Sequence, residues 1–497
     1  MKMLFIYPDL VPHVVDWPGY YHNGIGVMSA VLKQAGHGSS LLHIVQPMSW
    51  HDFINRVREE APALIGFSAT SHMFPVVKEL VSWLQDAKLR IPVMCGGIHP
   101  TIAPDDAIGV DGIDIICRGE GEGPLLELCQ RLENKSDICG IQNLWIKKDD
   151  GTVIKNPLRP IVNDLDIFPF SDRAAFNYSS LYSEREGRGS FMASRGCPHN
   201  CTYCCNQLIR SIYGSEGKAI RFRSVDNVIA EIKQVLNEYP FIKSLVFDDD
   251  ILFLNRKWSE EFADKYSREI KLPFMCNARA DVTDQSLVDR LKKAGCYYVR
   301  FGLESGNEEI RYNVLDRRMK NEQIKKAFSM CKEAGFTTFS YNIVGFPHET
   351  PSSILDTIKL NAAIDVDVTH VTIFQPYPGT KLYDLCREMN LIESKDLAQD
   401  FCSPSVLQLT TVSPSQVLMF RNYFRVFMKY YQFLDKLPRG VSRICIKLSD
   451  RLLSFHVTAQ VLNSIYAPLY RMYLRSSFKR DREKKAFTIK EEKALME

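Results

Sequence analysis

At 497 residues the chain is too long for one ordinary domain; at roughly 150 residues each, about three are expected. It is 45% hydrophobic and 24% charged, which excludes a disordered chain, a collagen-like fibre and a coiled-coil rod. The 62 Lys and Arg against 59 Asp and Glu leave a net charge of +3, so overall charge gives no reason to expect a nucleic acid partner. The 14 cysteines are too dilute for a disulfide scaffold, so the informative question is whether they cluster.

The chain opens with an apolar run that ends at Pro8 and Asp9, too short for a signal peptide. No stretch reaches the ~18–20 apolar residues of a membrane helix; the best candidate, Leu452 to Tyr470, is broken by His456, Gln460, Asn463 and Pro468. A cytoplasmic protein with reduced thiols is expected. Clustered cysteines then point to metal or catalysis.

Residues 1–140 alternate strands (Met3–Tyr7, Ser40–Val45, Ala63–Ser68, Ile91–Cys95, Asp114–Cys117) with helices. Alternation implies a parallel sheet with right-handed crossovers, which binds ligands beyond the carboxyl ends of its strands. Those ends carry Ser68, Thr70, Gly96, Gly97, Gly119 and Glu120. Residues 141–189 are a linker in which Asp150-Gly151 marks a hairpin, and the Pro- and Asp-rich stretch 164–173 is expected to run over the surface. Residues 190–385 hold six strand candidates, at Ser190–Ser194, Ser244–Phe247, Pro273–Cys276, Tyr298–Phe301, Thr338–Ile343 and His370–Phe374. Helical patterns such as Val225–Glu238 and Gln285–Ala294 lie between them. Six βα units predict a partial (βα)6 TIM-like barrel, open on one side, with chemistry at the carboxyl ends of the strands. Residues 386–497 are predicted to be a helical C-terminal region. Its aromatics fit a helix core or a pocket for a large apolar substrate, and its basic run Arg475–Lys485 fits a solvated helix end or peripheral membrane contact.

Four cysteines fall within nine residues, Cys197-Pro-His-Asn-Cys201-Thr-Tyr-Cys204-Cys205, just after the first barrel strand. Zinc would want a fourth ligand, which Cys205 or His199 could supply. A 4Fe–4S cluster held by three thiolates instead leaves one iron open to a small chelating ligand.

The spacing Cys-x3-Cys-x-aromatic-Cys, with Tyr203 as the aromatic, resembles the radical SAM superfamily. The resemblance implies that Cys197, Cys201 and Cys204 ligate a 4Fe–4S cluster and that S-adenosylmethionine (SAM) chelates the open iron. Reductive cleavage would then give a 5′-deoxyadenosyl radical. Cys205 lies outside the triad and is expected to be structural. Further segments at successive strand ends agree with this likeness, and they imply SAM-binding roles for Tyr203, Asp249, Asp250, Arg279, Glu304, Ser305, Gly345 and Glu349. Asp248-Asp249-Asp250 could equally be a metal site or a helix N-terminal cluster, and Arg279 a surface ion pair.

The N-terminal segments Gly66-Phe-Ser68-Ala-Thr70-Ser71, Cys95-Gly-Gly97-Ile-His99 and Arg118-Gly119-Glu-Gly121-Glu122 lack the G-x-G-x-x-G dinucleotide fingerprint. Placed before such a barrel, they resemble the cobalamin (B12)-binding domain of the B12-dependent class, a flavodoxin- or Rossmann-like α/β fold. The resemblance implies cobalamin contacts at Ser68, Thr70, Gly96, Gly97, Gly119 and Glu120, or a vestigial domain without cobalamin. Asp9, His13, Asp16 and His22 lack the Asp-x-His-x-x-G spacing, so none of these histidines is expected to ligate cobalt. The implied function is a cobalamin-dependent radical SAM methyltransferase acting on an unactivated carbon or phosphorus centre. The alternatives are an oxidative cyclase or rearranging enzyme, and a non-catalytic iron–sulfur redox sensor. Expected partners are a small-molecule or lipid-like substrate and an electron donor such as flavodoxin or ferredoxin.

Overall fold

The structure is a computed structural model, and it describes residues 1–11, 16–214, 218–392 and 404–466. The N-terminal unit is built as expected from alternating elements: β1 (Lys2–Pro8), α1 (Asn23–Gln34), β2 (Gly38–Ile44), α2 (Trp50–Glu60), β3 (Leu64–Ser68), α3 (Phe74–Asp86) and β4 (Val93–Gly96). Two short helices follow, α4 (Ile98–Ile102) and α5 (Pro104–Ile108), then β5 (Ile115–Cys117) and α6 (Glu122–Glu133). The strands run β2-β1-β3-β4-β5 and are parallel. β1 and β3 are buried nearly throughout, as strands covered on both faces must be. The Asp150-Gly151 hairpin forms between β6 (Leu144–Lys147) and β7 (Val153–Lys155). It extends this sheet rather than standing apart, because β6 pairs antiparallel with β5 and covers its open edge.

The second unit starts at β8 (Arg188–Phe191), followed by β9 (Ser194–Arg195) and α7 (Cys205–Tyr213). It continues through β10 (Arg221–Phe222), α8 (Val225–Glu238), β11 (Ser244–Phe247), α9 (Arg256–Glu269), β12 (Phe274–Ala278) and α10 (Gln285–Ala294). The rest is β13 (Cys296–Glu304), α11 (Asn321–Glu333), β14 (Thr337–Val344), α12 (Pro351–Ala363), β15 (Val368–Ile373) and α13 (Lys381–Glu388). Six strands form one parallel sheet in the order β15-β14-β13-β12-β11-β8, with β15 and β8 at opposite edges. This is the expected open (βα)6 barrel. Alternation sorts its two faces: Phe301 is buried against Phe328 of α11, ring centroids 4.8 Å apart, so the half-buried Tyr298 and Arg300 turn to the concave side. Phe339 and Tyr341 of β14 join them, with Tyr298 and Phe339 6.1 Å apart.

The first barrel strand is shorter than the predicted Ser190–Ser194. The chain leaves the sheet after Phe191, and β9 pairs antiparallel with β10 in a separate two-stranded ribbon. Helices α14 (Pro414–Asp435) and α15 (Arg439–Leu453) follow, and residues 456–466 at the end of the described chain are helical as well. Of the aromatics of α14, Phe420, Phe424, Phe427 and Tyr431 are buried as helix core, whereas Tyr430 and Phe433 are exposed. The basic run Arg475–Lys485 lies outside the described residues. Among the described residues no helix is long and apolar enough to cross a membrane.

The stretch 164–173 lies on the surface only in part: Asp164 and Ile167 are exposed, while Leu165, Ser171 and Arg173 are buried where the two units close on this connector. Arg173 Nη1 donates to Glu231 Oε1 of α8 at 2.7 Å, and Arg223 donates to the other oxygen. Burial alone would raise the Glu231 carboxyl, but the two guanidinium groups outweigh it and hold it below the usual range. Removing one member of such a buried pair typically costs about 3–5 kcal/mol. Glu231→Gln is therefore expected to lower the urea midpoint of unfolding by a loss of that order, while a change at the exposed pair Arg256–Glu260 leaves it within about 0.5 kcal/mol.

Candidate active site

The cysteine loop leaves the barrel through β9 and is held from several sides. Asp249, at the end of β11, is fully buried; its carboxylate accepts from Ala193 N at 3.1 Å and from Ser194 Oγ, and burial pushes its pKa up to about 6. Thr202 donates through N to Leu315 O at 3.1 Å and through Oγ1 to Val314 O at 2.6 Å. Leu382 N donates back to Thr202 O at 3.0 Å. Arg210 of α7 reaches Cys197 O at 3.0 Å. α7 begins at Cys205, so Cys204 is its N-cap and the helix fixes the end of the motif. Cys201 is buried, and its sulfur receives Arg317 Nη1 at 3.5 Å and Arg279 Nη1 at 3.7 Å. Two cationic donors on one sulfur suit a thiolate, the form in which cysteine binds metal. Among the described residues no three His, Cys, Asp or Glu side chains converge on a single metal-ion position.

The residues singled out for SAM divide by surroundings. Tyr203, Arg279 and Glu304 gather around Arg317, a residue with no motif of its own. Arg317 Nη1 lies 3.5 Å from Tyr203 Oη, and its Nη2 donates to Gly302 O. Burial raises the Glu304 carboxyl and Arg317 opposes it. Arg279 is no surface ion pair: it is buried, with Nε and Nη2 on the two oxygens of Asp281 at 2.9 and 2.8 Å. Tyr203 packs towards Phe346, centroids 6.2 Å apart. Asp250 is exposed beside the loop and accepts from Asn206 Nδ2 at 2.9 Å. The acids at 248–250 do not open a helix, since α9 starts at Arg256.

Asp249, Ser305 and Glu349 have internal partners instead. Ser305 is fully buried and accepts from Asn307 N at 3.3 Å. Glu349 folds the turn after β14, where its Oε2 accepts from Gly345 N at 2.6 Å and Phe346 N at 3.1 Å. These three groups satisfy backbone at strand ends, where ladders stop and N–H groups need acceptors.

A cavity of about 400 Å³ lies between the two units. All six residues expected to contact cobalamin line it: Ser68, Thr70, Gly96, Gly97, Gly119 and Glu120. Met192, Ser194 and Arg195, which lead into the cysteine loop, line it too. Its size is that of a small-ligand pocket. Gly97 has φ +99°, and a Cβ there would sit 2.8 Å from Ala69 O, so the strand end admits no side chain. Small residues at the parallel strand ends, Ser68, Ala69, Gly96, Gly97 and Gly119, leave room on that side of the cavity for part of a bulky cofactor to enter. His22 also lines it but is committed: Nδ1 accepts from Ile25 N at 3.1 Å as the cap of α1, so the proton sits on Nε2, 3.3 Å from Ser68 Oγ. Burial lowers its pKa to about 4. His13 lies outside the described residues.

An ionic clamp closes the interface beside the cavity. Glu120 meets Arg221 at 2.6 Å and Arg195 at 3.2 Å, while Glu122 takes the other arm of Arg195 at 2.6 Å. Tyr213 of α7 packs its hydroxyl on Gly119, where a Cβ would collide with it, and accepts from Glu120 N at 3.0 Å. Arg195 was visible in the sequence only as the lead into the cysteines; Arg221, Tyr213 and Arg317 carried no signal, because tertiary folding alone brings them here.

Glu349 supplies a pH test. Burial raises its pKa to about 8 from an ordinary value of 4.5, and two backbone donors offset this only in part. A raised acid favours the folded state in its neutral form, so its contribution is whole below about pH 4.5 and is lost as pH rises through about 8. Stability is expected to decline across that window by an amount on the order of a few kcal/mol. Glu349→Gln, which keeps the neutral shape, should flatten the decline in melting profiles without lowering stability at pH 7.

Two family models match the chain: the radical SAM superfamily over residues 192–360 and the B12 binding domain over residues 18–129. An uncharacterized methyltransferase of Pyrococcus horikoshii is 25% identical over 436 residues, covering 86% of this chain and 93% of the relative. An anaerobic magnesium-protoporphyrin IX monomethyl ester cyclase of Rubrivivax gelatinosus is 22% identical, covering 90% of this chain and 82% of the relative. Among solved structures, the radical S-adenosylmethionine methyltransferase TsrM of Kitasatospora setae superposes with a TM-score of 0.64 at 18% identity, over 79% of this chain and 77% of that one. The two matched domain types account for the cysteine loop and for the small-residue cavity facing it, and their cofactors are a 4Fe–4S cluster with SAM, and cobalamin. The chain therefore carries a B12-binding domain over residues 18–129 followed by a radical SAM domain over residues 192–360.

Proposed function

We propose that this protein is a cobalamin-dependent radical SAM methyltransferase acting on an unactivated carbon or phosphorus centre. One observation carries the reading: the cavity between the units is lined at once by the strand ends of the B12-binding domain and by the residues that enter the cysteine loop. When bound, the cluster with SAM supplies a 5′-deoxyadenosyl radical, and cobalamin supplies a transferable methyl group. Cys197, Cys201 and Cys204 hold the cluster in this reading. Arg279 and Arg317 direct two charged donors at the sulfur of Cys201. Tyr203, Asp250, Arg279, Glu304 and Gly345 line the SAM side, while Asp249, Ser305 and Glu349 position the strand ends that present them. Ser68, Thr70, Gly96, Gly97 and Gly119 admit cobalamin, and Glu120 holds the domain edge against the loop. His22 spends Nδ1 on the cap of α1, so in this reading it is not a cobalt ligand. The half-buried Tyr298, Phe339 and Tyr341 give the concave barrel face an apolar wall that orients substrate and excludes water, with Arg300 beside them as its charged group. A reduced flavodoxin or ferredoxin delivers the electron.

The Rubrivivax relative favours one second reading, ring formation without methyl transfer. Anaerobic turnover with reductant, cobalamin and labelled SAM separates the two. Methyl transfer yields S-adenosylhomocysteine as well as 5′-deoxyadenosine; ring formation yields only the latter, and absence of both with an intact cluster defeats the radical assignment. Ser68→Phe places a ring in the cavity, where overfilling costs about 1–3 kcal/mol. It should weaken cobalamin binding by roughly tenfold or more, read from cobalamin absorbance, and leave iron content unchanged. Cys201→Ala should do the reverse.

A further inference from the structure

We propose that the outer face of α14 and α15 docks on the surface of an anionic lipid bilayer. α15 buries only one narrow side, through Ser442, Ser449 and Leu453. The side next to it carries Val441, Ile444, Leu448 and Leu452, spaced at three- and four-residue steps and between 50% and 64% exposed. At about 100° per residue these four side chains form one stripe along the helix. Val426 and Phe433 of α14 are also exposed. The Tyr430 hydroxyl is 2.8 Å from Ser449 Oγ, the residue after Leu448, which sets the exposed edge of α14 beside the stripe. Scattered apolar residues on a surface need no explanation, but a helix-long stripe does.

Charge selects the occupant. From residue 421 to 455 the sequence has eight Lys or Arg and two acids, Asp435 and Asp450. Asp450 is already engaged by Tyr431 Oη at 2.5 Å and Lys359 Nζ at 3.1 Å. On α15 the exposed Arg451, Lys447 and Arg443 follow one flank of the stripe at successive four-residue steps. An apolar stripe edged by cations is the pattern of a helix lying in the membrane interface, its apolar side in the acyl boundary and its cations on lipid phosphates. A second copy of the same face would set cations against cations, which disfavours a symmetric dimer through it. No described helix can cross a bilayer, so the contact is peripheral.

The test uses the full chain floated with vesicles of phosphatidylcholine alone and of phosphatidylcholine with phosphatidylglycerol. Flotation is expected with the anionic vesicles and not with the neutral ones. Lys447→Ala with Arg451→Ala should weaken it roughly 25-fold, at about fivefold per cation. Leu448→Glu with Leu452→Glu should abolish it. All four positions are exposed, so circular dichroism and melting should stay as in the parent. Arg480→Glu with Arg482→Glu, in the basic run beyond the described residues, should leave flotation unchanged. Absence of flotation overturns the proposal. So does loss of flotation in the Arg480/Arg482 variant alone. Loss of a dimer in light scattering on Leu448→Glu with Leu452→Glu, without any flotation of the parent, assigns the face to a second copy and overturns it as well.

Discussion

Two carboxylates at the end of one sheet, Glu120 and Glu122, meet two guanidinium groups at the entry to the cysteine loop, Arg195 and Arg221, and the arrangement of the whole molecule depends on that contact. Glu122 and Arg221 are almost wholly removed from water. Burial of charge is costly, and it is tolerated here because every charge faces an opposite one. Burial raises the Glu120 carboxyl, yet Arg221 and Arg195 together hold it below its ordinary range, so it stays ionised in the interface. The consequence is geometric. With β5 pinned to the β9–β10 ribbon, the strand ends of the B12-binding sheet cannot turn away from the residues that lead into Cys197. Gly119 tightens the same contact by letting the Tyr213 hydroxyl rest on backbone. One set of ion pairs therefore places two cofactor-binding regions across a shared cavity.

Much of the framework was legible because local signals and tertiary packing agree. α8 and α10 run over the predicted Val225–Glu238 and Gln285–Ala294. Ser224 and Asp284 cap their first turns, and Gly295 ends α10 in the left-handed region. The connector was misjudged in part, because Pro and Asp are surface residues only where nothing covers them. Arg173 is buried by α8, whose Glu231 offers a partner that no local pattern announces. The β9–β10 ribbon was missed because two-residue strands carry no periodicity. Sequence reading found the site's cysteines through their spacing. Arg317 stands 116 residues from Cys201 in the chain, so only the completed barrel brings it to that sulfur.

The strand-end residues show why a correct location does not settle a role. Asp249, Ser305 and Glu349 all lie where the chemistry of a βα barrel belongs. Asp249 and Ser305 accept from nearby backbone or hydroxyl groups, and Glu349 spends one of its two oxygens in the same way. Strand ends in such folds expose N–H groups just where the chain must turn sharply, and a buried acid satisfies them without adding another element. Glu304 shows the related cost: it holds a positive φ of 66°, uncommon for a residue with a side chain, and its carboxyl is buried near Arg317 and Tyr203. Strain and buried charge thus concentrate in the shell behind the cysteine loop.

That shell is also uneven. Burial raises the Cys197 thiol and the backbone N–H of His199 opposes it; Cys205 and burial raise the Cys204 thiol and the backbone N–H of Asn206 opposes them, so the groups acting against the rise there are neutral amides. Cys201 takes two guanidinium donors instead. Charged donors stabilise negative charge on sulfur more than amides do. Hydrogen bonding to the cysteine sulfurs is one of the factors that set the potential of a bound cluster. The positive charge is not free to act elsewhere: Arg279 shares its charge with Asp281, and Arg317 sits near Glu304. Arg279 is held by Asp281 and Arg317 by Gly302 O, and both donate to the same sulfur. If the three cysteines of the motif hold a cluster, Cys201 would be the ligand through which this chain's positive charge most strongly favours the reduced cluster.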